Sequence, residues 1–324
     1  MAQCAPITVR CPAKLNLFLE VLERRPDGYH NLDTVMQAVD LYDELEIAAQ
    51  PGSELSLECS DPALPCDERN LVLRAALALR RATDCRSGAR FRLTKRIPMQ
   101  AGLGGGSSDA AGALVGLNRA WGLGLPTEPL RQIAATVGSD VAFFLYGGTA
   151  RCRGRGELVE PVPVTAPFHY VLLFPGVGVS TAEAYARLRF PLTPLAPSAT
   201  MLLDSLLAGD VPGLGRSLFN RLEGPAFGIH PRLAEAKSRL AASGLFQGVC
   251  MTGSGSALFG LCRPEDAGHA LEGTVALRLG ETASVRSVGR GVEWDSPLVP
   301  RSRGREVARG SDRNSHQAER RSRR

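Results

Sequence analysis

The chain predicts an α+β protein of two domains. Strand-like and helix-like segments are mixed without the steady alternation of a doubly wound sheet. The 324 residues exceed the roughly 150 of a typical single domain. The proline-rich run Pro161-Val162-Pro163-Val164-Thr165-Ala166-Pro167 is suited to join two halves. The expected division is residues 1–160, residues 168–295, and an arginine-rich tail over 296–324.

Residues 7–22 carry Ile7, Val9, Leu15, Leu17, Leu19 and Val21, a strand pattern with a break expected at Cys11-Pro12-Ala13. Pro26-Asp27-Gly28 is a turn signal. Strands are expected over Met36 to Ile47, Leu55 to Cys59 and Phe91 to Lys95. Asn70 to Arg81 reads as a helix with Leu71, Ala75, Leu77 and Ala78 inward. A second helix is expected to begin near Ser107 or Ser108, both good N-caps, with Ala111, Leu114, Val115 and Asn118 at helical spacing. Leu130 to Val137 is a third helix, after which Phe143 to Arg151 returns to strand. Tyr170 to Pro175 is a buried strand. Helices are expected over 181–188, 200–208, 212–222 and 231–243, and 248–261 reads as strand, glycine turn, strand.

Composition excludes several classes of protein. A hydrophobic content of 44% suits a globular core. No apolar run approaches the ~18 residues of a membrane span, and the first residues lack a signal peptide's pattern, so a cytoplasmic protein is expected. The eight cysteines form no C-x-x-C, which points to reduced thiols and to no metal held by a cluster of protein side chains. The net charge of +5 is concentrated at the end, where residues 301–324 hold nine arginines against three acidic residues. That leaves the rest of the chain close to neutral. The tail is expected to be disordered and able to bind anions nonspecifically. A dedicated nucleic-acid binder would spread basic residues and aromatics over its folded surface. Only three lysines occur, Lys14, Lys95 and Lys237.

The segment Pro98-Met99-Gln100-Ala101-Gly102-Leu103-Gly104-Gly105-Gly106-Ser107-Ser108 carries the strongest chemical signal. Four glycines in five positions expose backbone, and a helix start offers unpaired N–H groups and the positive end of its dipole. A phosphate loop follows from that combination. No G-x-x-x-x-G-K-[ST] occurs, and no G-x-G-x-x-G fits the segment, so neither the common P-loop nor a dinucleotide fold is implied.

Asp140 stands between Gly138-Ser139 and an apolar run, as a helix cap or as a functional acid. Lys14 lies inside an apolar strand, where a carboxylate partner would stabilise it. If the two meet, they suit a general base with an adjacent cation. Tyr29 and His30 follow the turn and read either as a platform for a planar base or as loop packing. The late cluster Met251-Thr252-Gly253-Ser254-Gly255-Ser256 is a hairpin turn, or the far wall of a cleft shared by two domains.

In this order, Ala13-Lys14-Leu15-Asn16-Leu17, Pro98 to Ser108 and Met251 to Ser256 resemble the small-molecule kinase superfamily named for galactokinase, homoserine kinase, mevalonate kinase and phosphomevalonate kinase. Lys14 to Val21, Arg25-Pro26-Asp27-Gly28-Tyr29-His30-Asn31-Leu32, Asp40 to Glu44 and Gly138-Ser139-Asp140-Val141 are similar to the branch that acts on 4-diphosphocytidyl-2-C-methyl-D-erythritol. The resemblance spans residues 7–290. It implies a two-domain kinase fold with the active site between the domains, the first domain binding ATP. It also implies ATP-dependent phosphorylation of the 2-hydroxyl of a cytidine-diphosphate-linked methylerythritol, in non-mevalonate isoprenoid synthesis. On the matching positions, Lys14 and Asp140 are catalytic, and Pro98 to Ser108 with Asn70 hold ATP. Asn16, Tyr29, His30, Thr181 and Tyr185 hold the substrate. Mg²⁺ would arrive with ATP, with Ser107 as a contact. Gln100 departs from the pattern, standing where many members carry glycine or alanine. The Pro-Asp-Gly-Tyr-His run argues against a homoserine or mevalonate-type kinase.

Overall fold

The long apolar run at the start of the chain forms β1 (Ile7–Arg24). Every side chain from Cys11 to Leu19 is buried, Lys14 and Asn16 included. This computed structural model describes residues 5–189 and 198–294; Cys4 and the expected tail over 296–324 lie outside the described residues. The Pro26-Asp27-Gly28 turn folds β1 back onto β2 (His30–Gln50), with Gly28 at φ 86° and the Asp27 carboxylate accepting the Tyr29 N–H at 3.1 Å. The expected break at Cys11-Pro12-Ala13 is absent. Proline has no N–H for the ladder, so pairing slips by two residues of β2 between Pro12 and Ala13 and the strand continues.

After β3 (Leu55–Cys59) come α1 (Leu71–Thr83) and β4 (Gly88–Thr94). Of the face expected inward on α1, only Ala75 is fully buried. Val72, Leu73, Ala76 and Leu79 fill the rest of the core face, because α1 is wedged against two helices rather than laid on a flat sheet. Those are α2 (Gly105–Ala120) and α3 (Thr127–Val137). The return to strand expected from Phe143 starts later. Val141–Tyr146 is a short helix, α4, and β5 (Thr149–Gly154) follows Gly147 and Gly148, both at positive φ. A short apolar run such as Phe143-Phe144-Leu145 does not by itself distinguish buried helix from strand.

Pro161 and Val162 close β6 (Leu158–Val162), and residues 163–168 carry no regular element before β7 (His169–Phe174). The remainder runs α5 (Thr181–Ala186), α6 (Ala199–Ala208), α7 (Val211–Ser217), β8 (Phe219–Asn220), α8 (Glu223–Ile229), α9 (Pro231–Ala242), β9 (Gly248–Met251), β10 (Leu258–Cys262), α10 (Ala267–Ala276), β11 (Glu281–Arg286) and β12 (Glu293–Trp294). The single helix expected over 212–222 is therefore split. Phe219 and Asn220 pair in parallel with Phe18 and Leu19, and the ladder overrides the local helical period.

Two sheets result. The first runs β12-β1-β2-β4-β3, with β5 and β8 joined to β2 and β1 and β6 joined to β5. The second runs β11-β7-β10-β9. One core lies between the first sheet and α1 to α4, around Val9, Ile47, Phe91, Leu114 and Phe143. Another joins β1 to the second sheet through Leu15, Leu17, Tyr170 and Phe259. A buried polar relay crosses between the sheets. The Tyr170 hydroxyl donates to Gln37 Oε1 at 2.5 Å, and Gln37 Nε2 donates to Thr149 Oγ1 at 2.8 Å. Among the described residues no helix is long and apolar enough to cross a membrane, and all seven cysteines are free.

Candidate active site

A cleft of about 1380 Å³ opens where β1, the 97–107 segment, the start of α5 and the 253–255 turn converge. It is larger than the ~300–1,000 Å³ of a usual ligand pocket. Pro98 to Ser107 all line it; Ser108 does not, being fully buried with a hydroxyl that has no partner. The helix begins earlier than either serine. Gly104, at φ 73°, is the N-cap of α2, and the first i to i−4 bond runs from the Ser108 N–H to Gly104 O at 2.9 Å. The unpaired N–H groups at the helix start therefore come from a stretch made mostly of glycine, and bulky side chains do not fence them off from the cleft.

The late glycine turn meets this loop directly. A Cβ on Gly102 would lie 2.0 Å from Thr252 O, so this backbone approach admits glycine alone. Ala257 N–H donates to Ala101 O at 3.1 Å, and Thr252 Oγ1 donates to Gly102 O at 3.2 Å. Asn220 Nδ2 fixes the turn from behind through Met251 O and Gly253 O, at 2.7 and 2.8 Å.

Lys14 reaches the cleft floor from β1. Its ammonium donates to Asn16 Oδ1 and, at 2.7 Å, to Gly102 O, and it lies 3.9 Å from Asp140 Oδ2. Burial pushes the ammonium below its usual range, and the Asp140 carboxylate opposes that shift. Asp140 occupies the position before α4 but caps nothing with its side chain, which is about one-third exposed toward the cleft. The two residues expected to cooperate are therefore neighbours. Asn16 is engaged inside the protein, its oxygen serving Lys14 and its amide donating to Thr34 Oγ1 at 2.8 Å. Asn70 lines the cleft as the N-cap of α1, its oxygen accepting the Val72 N–H at 3.0 Å and its amide donating to Pro65 O at 2.9 Å.

At another part of the cleft the His30 and Tyr185 rings stack, 5.0 Å apart and inclined by 28°. The Arg155 guanidinium sits 4.9 Å from the Tyr29 ring centre. Thr181 Oγ1 and Ser254 Oγ share a hydrogen bond of 2.8 Å. Burial raises the Tyr185 hydroxyl and lowers the His30 imidazolium.

A buried cluster beneath the loop escaped the sequence reading. The Lys95 ammonium bridges Asp43 and Asp109, the latter at 2.7 Å, while Asp43 Oδ1 accepts the N–H groups of Arg96 and Ile97 at 2.6 and 2.9 Å. Burial lifts Asp109 to about 7 against the pull of Lys95. Burial alone would lower Lys95, but Asp109 and Asp43 outweigh it and raise the ammonium. The scarcity of lysine was the one available signal, since a lysine just before the glycine loop is a candidate for a specific task.

Regarding Mg²⁺, no group of three acidic, histidine or cysteine side chains gathers among the described residues. Ser107 faces the cleft at the first turn of α2. A single hydroxyl beside the glycine loop would fit an ion that takes its remaining ligands from water and a bound nucleotide.

Residues 70–148 match the family model described as GHMP kinases N terminal domain, and residues 202–275 match GHMP kinases C terminal. With the cleft between the two sheets, these define the class: a two-domain kinase of the GHMP type, which uses ATP as phosphate donor. The 4-diphosphocytidyl-2-C-methyl-D-erythritol kinase of Brevibacillus brevis is 39% identical over 87% of this chain and 97% of its own length. That of Pelotomaculum thermopropionicum is 44% identical over 79% and 88%. A solved 4-(cytidine 5'-diphospho)-2C-methyl-D-erythritol kinase superposes with a TM-score of 0.72 at 38% identity, covering 87% of this chain and 99% of that one. The chain belongs to the 4-diphosphocytidyl-2-C-methyl-D-erythritol kinase family.

Proposed function

We propose that this kinase transfers the γ-phosphoryl group of ATP to the 2-hydroxyl of 4-diphosphocytidyl-2-C-methyl-D-erythritol, with Asp140 as the base. The observation that carries this reading is the Lys14–Asp140 pair facing the cleft beside the glycine loop. Phosphoryl transfer asks a protein mainly for positioning and charge neutralisation. The N–H groups at the start of α2 cradle the phosphates. The acceptor oxygen bonds to phosphorus as the bond to the β–γ bridging oxygen breaks, and the hydroxyl proton passes to Asp140. Lys14, held by Asn16 and Gly102, orients that carboxylate and steadies charge on the acceptor oxygen. Ser107 would hold Mg²⁺, whose contribution when bound is to neutralise phosphate charge. Tyr29, His30 and Tyr185 form the aromatic end of the cleft and suit a cytosine ring. Thr181 belongs to the same side, and Asn70 shapes the adenine side by fixing the start of α1. A cytoplasmic location belongs to this reading, since the donor is ATP.

The test is ATP-to-ADP turnover on purified protein with and without the cytidine-diphosphate substrate, and phosphorus NMR of the product. ADP release that requires the substrate, with new phosphate on the 2-hydroxyl, supports the assignment. Nucleotide binding without stimulation by this substrate overturns the acceptor and leaves the kinase class intact.

A further inference from the structure

Gln100 lines the cleft in a left-handed backbone conformation, φ 52°, in which a side chain is unfavourable and glycine is at ease. Its amide explains what the side chain does there. A Cβ on Gly178 would lie 2.7 Å from Gln100 Oε1, so the Gln100 side chain rests on residue 178, and a side chain at 178 would displace it. The backbones of the two segments are also joined. Ser256 N–H donates to Gln100 O at 3.3 Å, and Ser256 Oγ donates to Val177 O. From Gly178 the chain runs through Thr181, bonded to Ser254, into α5 and Tyr185, which stacks on His30. His230 holds Gly178 O from the other side at 3.0 Å.

We propose that Gln100 is a positioning residue that couples the nucleotide loop to the acceptor side of the cleft by seating its side chain on Gly178. The inference rests on the acceptor assignment above. Phosphates bound on the loop fix the backbone at residue 100, Gln100 then fixes residue 178, and the segment carrying Thr181 and Tyr185 is ordered for the second substrate. Coupling of this kind is reciprocal, so either ligand tightens binding of the other.

The experiment measures binding of 4-diphosphocytidyl-2-C-methyl-D-erythritol by calorimetry, alone and with saturating non-hydrolysable adenylyl imidodiphosphate. In the wild type the analogue tightens substrate binding by about fivefold or more, the lower end of usual coupling. In Gln100→Gly the factor falls below about twofold, although glycine suits this backbone and the melting temperature is not lowered. Gly178→Ala pushes the Gln100 amide away and gives the same loss. The double variant loses no more than either single variant, because both remove one contact. Wild-type coupling retained in Gln100→Gly, losses that multiply in the double variant, or no coupling in a wild type that binds both ligands would each overturn the proposal. A wild type that binds the analogue but not the substrate refutes the acceptor assignment instead, and the proposal falls with it.

Discussion

Replacing Asp140 by Asn keeps the side chain's size and removes its ability to take a proton. Turnover should drop by about 10²-fold or more, the usual scale for a lost general base, while adenylyl imidodiphosphate still binds; near-normal turnover would exclude Asp140 as the base. Asp109 carries a different expectation. Burial raises it to about 7 from the ordinary 3.8, so between those values the folded protein keeps a proton that the unfolded chain has released. The stability gained this way is full below the lower value and is lost as pH rises through the upper one. Melting temperatures between pH 5 and pH 8 should therefore fall more steeply in the wild type than in Asp109→Asn, and parallel curves would refute the assignment. Single residues were unevenly legible. Lys14 stood out as a charge in an apolar strand, and Asp140 as an acid before an apolar run. Asp43 and Asp109 did not stand out, because an acid within a strand or a helix looks solvated until its partner is known.

Helix α2 is set by its two ends of purpose. Its start serves the cleft, and its middle lies so close to the first sheet that an added Cβ would press on a side chain of the sheet. A Cβ at Gly112 would lie 2.5 Å from Cys11 Sγ, and one at Gly116 would lie 2.2 Å from Ile47 Cδ1. Alanine in a helix is better than glycine by about 1 kcal/mol, whereas overpacking a core costs about 1–3 kcal/mol. The two nearly cancel for Gly112→Ala. For Gly112→Val the steric cost wins, and chemical denaturation should show a loss of about 1–3 kcal/mol. Elements defined by local pattern, such as β3, β7 and α9, were readable from spacing. The start of α2 was not, because serine is ordinarily the better cap, and glycine stands at 102 and 104 for a positive φ and for the approach of Thr252 and Phe144. The segment at 219–220 joined the first sheet for the same kind of reason, with a partner more than 200 residues distant in sequence supplying its ladder.

Across the whole molecule, both sheets contribute to one cleft, so ligands that fill it should stabilise the entire fold. Adenylyl imidodiphosphate at about 100 times its dissociation constant should add about 2.7 kcal/mol, seen as a melting-temperature rise of roughly 4 °C in a chain this long. The same rise is expected in Asp140→Asn, and no rise in the wild type would show that the loop does not hold nucleotide. The sequence by itself determined the α+β character, the glycine-rich loop opening onto a helix and the order of the three kinase-like segments, because glycine content, apolar period and turn chemistry act over a few neighbours. Only the tertiary structure decided that Lys14 meets Asp140, that the two glycine clusters are packed against one another, and that Lys95 is shared by two buried acids. Those pairings join residues from 14 to 150 positions apart, and nothing in local sequence fixes a distance that the folding of two sheets sets.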